Sequence, residues 1–163
     1  MHSLFKFPNP VNEYSARLVA GGVVCMCLAI NLLELKWILW FLSYGFIARA
    51  LTGPTLSPLG QLVTRLIIPN LKLRPKYVPG PPKRFAQSIG AVLSTAALIA
   101  WIAGSNTWSV ILVSLVLFAA TLESVFGFCI GCAIFGFLMK IRIIPNSVCE
   151  ACVLPDYDWH SEQ

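Results

Sequence analysis

The sequence predicts an all-α membrane protein: a four-helix transmembrane bundle with an interfacial amphipathic helix and a short C-terminal helix carrying a Cys-x-x-Cys pair. Three observations predict it. Only 12% of the 163 residues are charged while 57% are hydrophobic, against about 25% charged in an ordinary soluble domain. Four apolar runs recur along the chain. Basic residues gather at one set of ends of those runs. A soluble chain of this length must cover its surface with groups that water tolerates, and this one has too few. The length suits a single domain, residues 1–163.

The opening MHSLFKFPNPVNEYSAR holds Lys6, two prolines and Glu13. It does not place a short apolar run directly after a basic region, so no cleavable signal is expected and the first apolar segment is read as a retained helix. Spans are expected at 16–33, 36–51, 85–104 and 107–127. A crossing takes about 20 residues. The first two runs are short, and Glu34, Leu35 and Lys36 separate them. A tight helical hairpin fits, because one continuous helix would bury both charges in hydrocarbon.

Segment 53–84 reads as a cytoplasmic loop. Gly53-Pro54 ends the second helix. Leu59, Leu62, Val63, Leu66 and Ile67 then recur at helical spacing, as in an amphipathic helix lying in the interface. LKLRPKYVPGPPKR, with prolines at 75, 79, 81 and 82, reads as an extended linker. After the fourth span comes a Cys-rich segment, 129–163. Cys132–Lys140 is too short to cross and reads as a surface or re-entrant helix. The chain closes with a polar, acidic tail.

Orientation follows from the basic residues. Arg65, Lys72, Arg74, Lys76, Lys83 and Arg84 lie in the middle loop, Lys6 and Arg17 before the first span, and Lys140 and Arg142 after the fourth. The opposite loops offer only Lys36. Both termini and the middle loop are therefore expected in the cytoplasm. Trp37, Trp101 and Trp108 mark the other interface. The net charge of +5 is explained by these clusters. The bilayer is the expected partner and nucleic acid is not.

Polar residues form a layer at the cytoplasmic end: Arg17, Arg49, Arg84 and Gln87, with Asn12 and Glu13 nearby. Glu123 falls in the last two turns of the fourth span. An acid there faces the bundle and pairs, with Arg49 or Arg17 the expected partner. It either locks the packing or serves as an acid/base group beside the cysteines.

Six cysteines occur as Cys25/Cys27, Cys129/Cys132 and Cys149/Cys152. At i, i+2 in a helix the first pair points to nearly opposite faces, so those residues read as small apolar fillers. The other pairs are both Cys-x-x-Cys, and two chemistries compete. In the redox reading Cys129 stands at the start of a helix, whose N-terminus favours the thiolate. Cys129 attacks, Cys132 resolves, Cys149 and Cys152 relay electrons, Glu123 takes a proton, and a quinone in the adjoining bilayer accepts the electrons. In the metal reading Cys129, Cys132, Cys149 and Cys152 hold a structural zinc, or an iron-sulfur centre, on a non-enzymatic scaffold. A small sulfur-compound transporter component is a third reading. A cytoplasmic position argues against stable structural disulfides. Gly21, Gly22, Gly127, Gly131 and Gly136 read as small residues that let helices approach. His2 and His160 lie at the termini.

The stretches FPNPVNEYSARLVAG, RALTGPTLSPLGQLVTRLIIP, PPKRFAQSIG, CIGCAIFGFL and CEAC, in this order, resemble the bacterial domain-of-unknown-function family 4395 across nearly the whole chain. The resemblance implies a multi-pass protein of the bacterial inner membrane. It also implies association with cytoplasmic thioredoxin-like or rhodanese-type proteins, which accords with a thiol/persulfide redox or sulfur-handling module and a thiol-disulfide oxidoreductase activity. It assigns no oligomeric state.

Overall fold

The computed structural model describes residues 11–71 and 76–143. Chain order is β1 (Val11–Asn12), α1 (Glu13–Leu32), α2 (Ile38–Thr52), α3 (Pro58–Leu62), a π-helical turn (Val63–Ile67), α4 (Ile68–Leu71), β2 (Tyr77–Val78), α5 (Gly80–Ile102), α6 (Asn106–Phe126) and α7 (Ile130–Lys140). Helices α1, α5 and α6 are long and apolar enough to cross a membrane. Helix α2 is apolar but has 15 residues, about 22 Å at 1.5 Å per residue, short of the ~30 Å hydrocarbon core. The three long helices fit a multi-pass membrane protein.

Helix α1 packs on α6, α6 on α5, and α5 on α2 and α7. Short connections at 33–37 and 103–105 make each consecutive pair antiparallel. One end of the bundle therefore collects the C-termini of α1 and α5 with the N-termini of α2 and α6. Trp37, Trp101 and Trp108 lie at this end. The other end collects the N-termini of α1 and α5, the C-termini of α2 and α6, and α7.

The bundle is apolar inside, with a few buried hydroxyl side chains, and large and apolar outside. Val23, Cys27, Ile30, Leu39, Leu42, Ala97, Val113 and Val116 form the core. Ser43 and Thr95 share an interhelical hydrogen bond of 2.8 Å, and Asn31 donates to Ser114 at 3.1 Å. Trp40, Phe41, Val92, Ile99 and Phe118 face outward and exposed. Such a surface is an aggregation hazard in water and the normal one in lipid. Cys25 is exposed and Cys27 fully buried, as the i, i+2 geometry requires.

Two expectations change. Helix α5, the third expected span, begins at Gly80, not at 85, so part of the expected extended linker is helical. Pro81 and Pro82 fall in the first turn, where a missing N–H costs no intrahelical bond. Just before it, Val11 pairs with Val78 and Asn12 with Tyr77 in a short antiparallel bridge. The Glu13 N–H donates to the Lys76 carbonyl at 2.8 Å, and the two side chains pair at 2.9 Å. The loop is thereby tied to the start of α1. The segment predicted to be amphipathic is helical, with Val63 buried and Leu59 against Gly22, although Leu62 and Leu66 face out.

Arginines close the helix ends on the polar side. The last carbonyls of a helix have no partner within it, and lipid supplies none. Arg17 of α1 donates to the Ser124 carbonyl at 3.3 Å and to that of Val125 at 2.7 Å, at the end of α6. Arg84 of α5 donates to the Ala50 carbonyl at 3.0 Å, near the end of α2. Both cations also sit favourably at the negative end of a helix dipole. Replacing Arg17 with Met is expected to lower stability by about 1 to 2 kcal/mol, measured by reversible unfolding in mixed micelles. An unchanged midpoint would remove the capping role.

Candidate thiol site

The site forms where α6 ends. Gly127 takes a left-handed conformation (φ 69°) and its N–H returns to the Leu122 and Glu123 carbonyls, which stops α6. A glycine takes this conformation without steric penalty. Three residues later the chain is helical again, with Cys129 as the N-cap of α7. Its Sγ accepts the Cys132 N–H at 3.3 Å. Sulfur thus takes the capping place that a serine or aspartate oxygen usually fills.

Gly131, inside the CIGC motif, fixes where this cap sits. A Cβ there would come within 2.5 Å of the Ala86 Cα. Its absence lets α7 press onto α5. Phe135, one turn on, packs its ring 5.6 Å from Phe85. Gly136 has nothing within 4 Å, so the close-approach reading of the glycines applies to Gly131 and not to Gly136.

Below the cysteines lies an ion pair that the sequence did not indicate. Glu123 pairs with Lys83, not with Arg49 or Arg17. Lys83 sits one turn into α5 and is buried. Once Pro81 and Pro82 start a helix, Lys83 turns inward instead of standing in a solvated loop. The proline-rich appearance of the segment hid this. Arg17 is occupied by the α6 carbonyls. Arg49 donates to Gln87 Oε1 at 3.0 Å and to Ser57 Oγ at 3.1 Å, and stacks over the Phe46 ring at 4.7 Å. Asn12 caps α1 through the Tyr14 N–H. Lys83 and Ser57 join Arg49 and Gln87 in these contacts.

The cysteine pair is electrostatically divided. Cys129 is held below the ordinary thiol range, first by hydrogen bonding from Cys132, with the Lys83 ammonium and the Cys132 N–H adding to it. Burial and the Glu123 carboxylate oppose this. Cys132, which donates to its neighbour, is pushed up, and burial adds to the shift. Of the two sulfurs Cys129 is therefore the one that more readily becomes a thiolate. That is the division a dithiol needs: one sulfur to attack and one to hold its proton until the second step.

Two cavities meet at Cys129. One, of ≈260 Å³, runs into the bundle between α1, α2, α5 and α6, with Arg49, Glu123 and Cys129 in its wall. The other, of ≈420 Å³, is lined by Glu13, Pro79, Lys83, Phe128, Cys129 and Cys132.

The sequence profile of the family described as Domain of unknown function (DUF4395) matches residues 11–140. The chain belongs to this family. No curated protein and no solved structure matches the chain. The match to the domain-of-unknown-function family includes Arg49, Lys83, Glu123, Cys129 and Cys132 and ends before Cys149. Cys149 and Cys152 lie outside the described residues, so the relay role and two of the four zinc ligands fall there. Among the described residues no three His, Cys, Asp or Glu side chains gather as a metal site.

The two members of the ion pair act on Cys129 with opposite signs. Lys83→Met is expected to raise the pH at which Cys129 becomes reactive, and Glu123→Gln to lower it. The pH–rate profile of iodoacetamide alkylation at Cys129 measures both. Shifts of the same sign would contradict this electrostatic assignment.

Proposed function

We propose that the protein is a membrane-embedded thiol–disulfide exchange module of the bacterial inner membrane, with Cys129 as nucleophile and Cys132 as resolving thiol. The observation that carries this reading is the Cys129 cap: a sulfur on a helix N-terminus, beside a buried Lys83, accepting the Cys132 N–H. A structural cysteine in an apolar interior has none of these supports.

The exchange runs in two steps. The Cys129 thiolate attacks one sulfur of a partner disulfide. A Cys129–partner S–S bond forms, the partner's own S–S bond breaks, and its second sulfur leaves as a thiolate. Cys132 then loses its proton and attacks Cys129 Sγ. The Cys129–Cys132 bond forms, the mixed disulfide breaks, and the partner departs as a dithiol after protonation. Run in reverse, a partner dithiol reduces the Cys129–Cys132 disulfide. Glu123 lies close enough to act electrostatically on both thiols and is assigned the Cys132 proton.

The membrane reading completes this proposal. Helices α1, α2, α5 and α6 make four crossings, with the shorter α2 packed on α5. Among the described residues Arg17, Arg65, Lys76, Arg84 and Lys140 belong to the Cys129 end and Lys36 to the opposite one, which supports a cytoplasmic Cys129. The partner is then a cytoplasmic protein of thioredoxin-like or rhodanese type, which reaches Cys129 through the cavity beside Lys83. Cys149 and Cys152, a few residues beyond α7, are assigned the relay to it.

Cys132→Ser leaves Cys129 able to attack but unable to release its partner. Incubating this variant in lipid nanodiscs with an oxidised thioredoxin-like protein is expected to give a mixed disulfide through Cys129, seen by non-reducing electrophoresis and peptide mass spectrometry. Cys129→Ser/Cys132→Ser should give none. Equal adduct in both variants would overturn the assignment.

A further inference from the structure

The cavity inside the bundle has features that thiol exchange with a soluble protein does not use. Its walls are mostly apolar, with Val19, Val23, Phe46, Leu93 and Val116 among them, and Arg49, Gln87 and Glu123 are the polar members at one end. One strong donor stands in that wall. Arg49 is 5% exposed, and its Nη2 has no hydrogen-bond partner among the described residues. Its Nε and Nη1 are held by Gln87 and Ser57, so the guanidinium is fixed while one donor is left for something else. An unpaired buried donor carries a desolvation penalty, and a ligand oxygen would relieve it.

We propose that this cavity binds the ring of a membrane quinone, which takes the electrons of the Cys129–Cys132 dithiol. The inference rests on the thiol-exchange reading and supplies its acceptor. Size agrees: a cavity of about 150 Å³ holds a benzene ring, and ≈260 Å³ leaves room for ring substituents. Access agrees: Leu115 and Phe118 line the cavity yet are 51% and 61% exposed, forming a lip on the lipid-facing side of α6 through which an isoprenoid tail leaves. Chemistry agrees as well. A simple acyl chain would fill the apolar volume and leave Nη2 unpaired. A quinone carbonyl accepts from Nη2, and the bond strengthens as negative charge develops on that oxygen during reduction. Cys129 is in the same wall.

The step balances. The Cys129 thiolate and the Cys132 thiol give up two electrons and one proton and become joined by an S–S bond. The quinone takes the two electrons, that proton and one more from the cytoplasmic side, and its two C=O groups become O–H. A partner dithiol then reduces the disulfide and leaves as a disulfide.

The test uses the full chain in phosphatidylcholine nanodiscs, without oxygen, and a benzoquinone bearing one isoprene unit as probe. Saturable binding is expected to the wild type and to Cys129→Ser/Cys132→Ser, which cannot transfer electrons. Arg49→Gln should weaken it about ten-fold or more, the loss of one hydrogen bond to a charged group. Because Arg49 also holds Gln87 and Ser57, Ala119→Phe provides a second variant that fills the cavity from its lip and should abolish binding. In the reduced wild type, one disulfide should form per quinone reduced. Absence of saturable binding, competition by oleate equal to that by the quinone, or binding without disulfide formation would each overturn the proposal. Mixed-disulfide trapping by Cys132→Ser is scored separately, so a failed acceptor site is distinguished from a failed thiol site.

Discussion

Lys83 and Glu123 hold each other where α5 begins and α6 ends, and the rest of the site is arranged around that pair. Buried as they are, neither charge is tolerable alone. Together they bring the two helix ends together, and α7 is laid across them. Gly131 sets how closely α7 lies, and Cys129 is the first group of α7 to meet the pair. The same interaction therefore does two things. It permits buried charge at this end of the bundle, and it places a cation beside a sulfur that already caps a helix.

The neighbouring arginines follow the same constraint. Every helix that ends near the bilayer needs its last carbonyls satisfied from within the protein. Arg17 and Arg84 reach across from adjacent helices to do so, and that occupies them. Arg49 is different. It is held by two neutral side chains and an aromatic face, and its Nη2 has no partner among the described residues.

Much of the fold was legible in the sequence because lipid imposes simple rules on length, apolarity and the placement of basic residues. The long helices, the break at Gly53-Pro54 and the helix after Cys129 all leave local marks. The start of α5 did not, because Pro81 and Pro82 look the same in a linker as in a first helical turn. That misreading carried Lys83 with it, and the partner of Glu123 was then sought among the arginines that sequence placed at similar depth. A Pro-Pro-Lys-Arg run directly before an apolar stretch was the signal available. The spacing of Cys129 and Cys132 was legible. The close approach of Gly131 to Ala86 was not, since it depends on how two helices cross. The role of Gly127 as a left-handed stop was likewise indistinguishable from a packing glycine.

We propose that Cys129 and Cys132 form one dithiol–disulfide couple beside the Lys83–Glu123 pair. The most direct measurement is a redox titration of the full chain in nanodiscs against glutathione buffers, with thiols trapped by alkylation and the peptide spanning both residues read by mass spectrometry. The account predicts a single two-electron transition in which both thiols disappear together into a bond between them. Independent modification of the two, or free thiols at every potential, would contradict it.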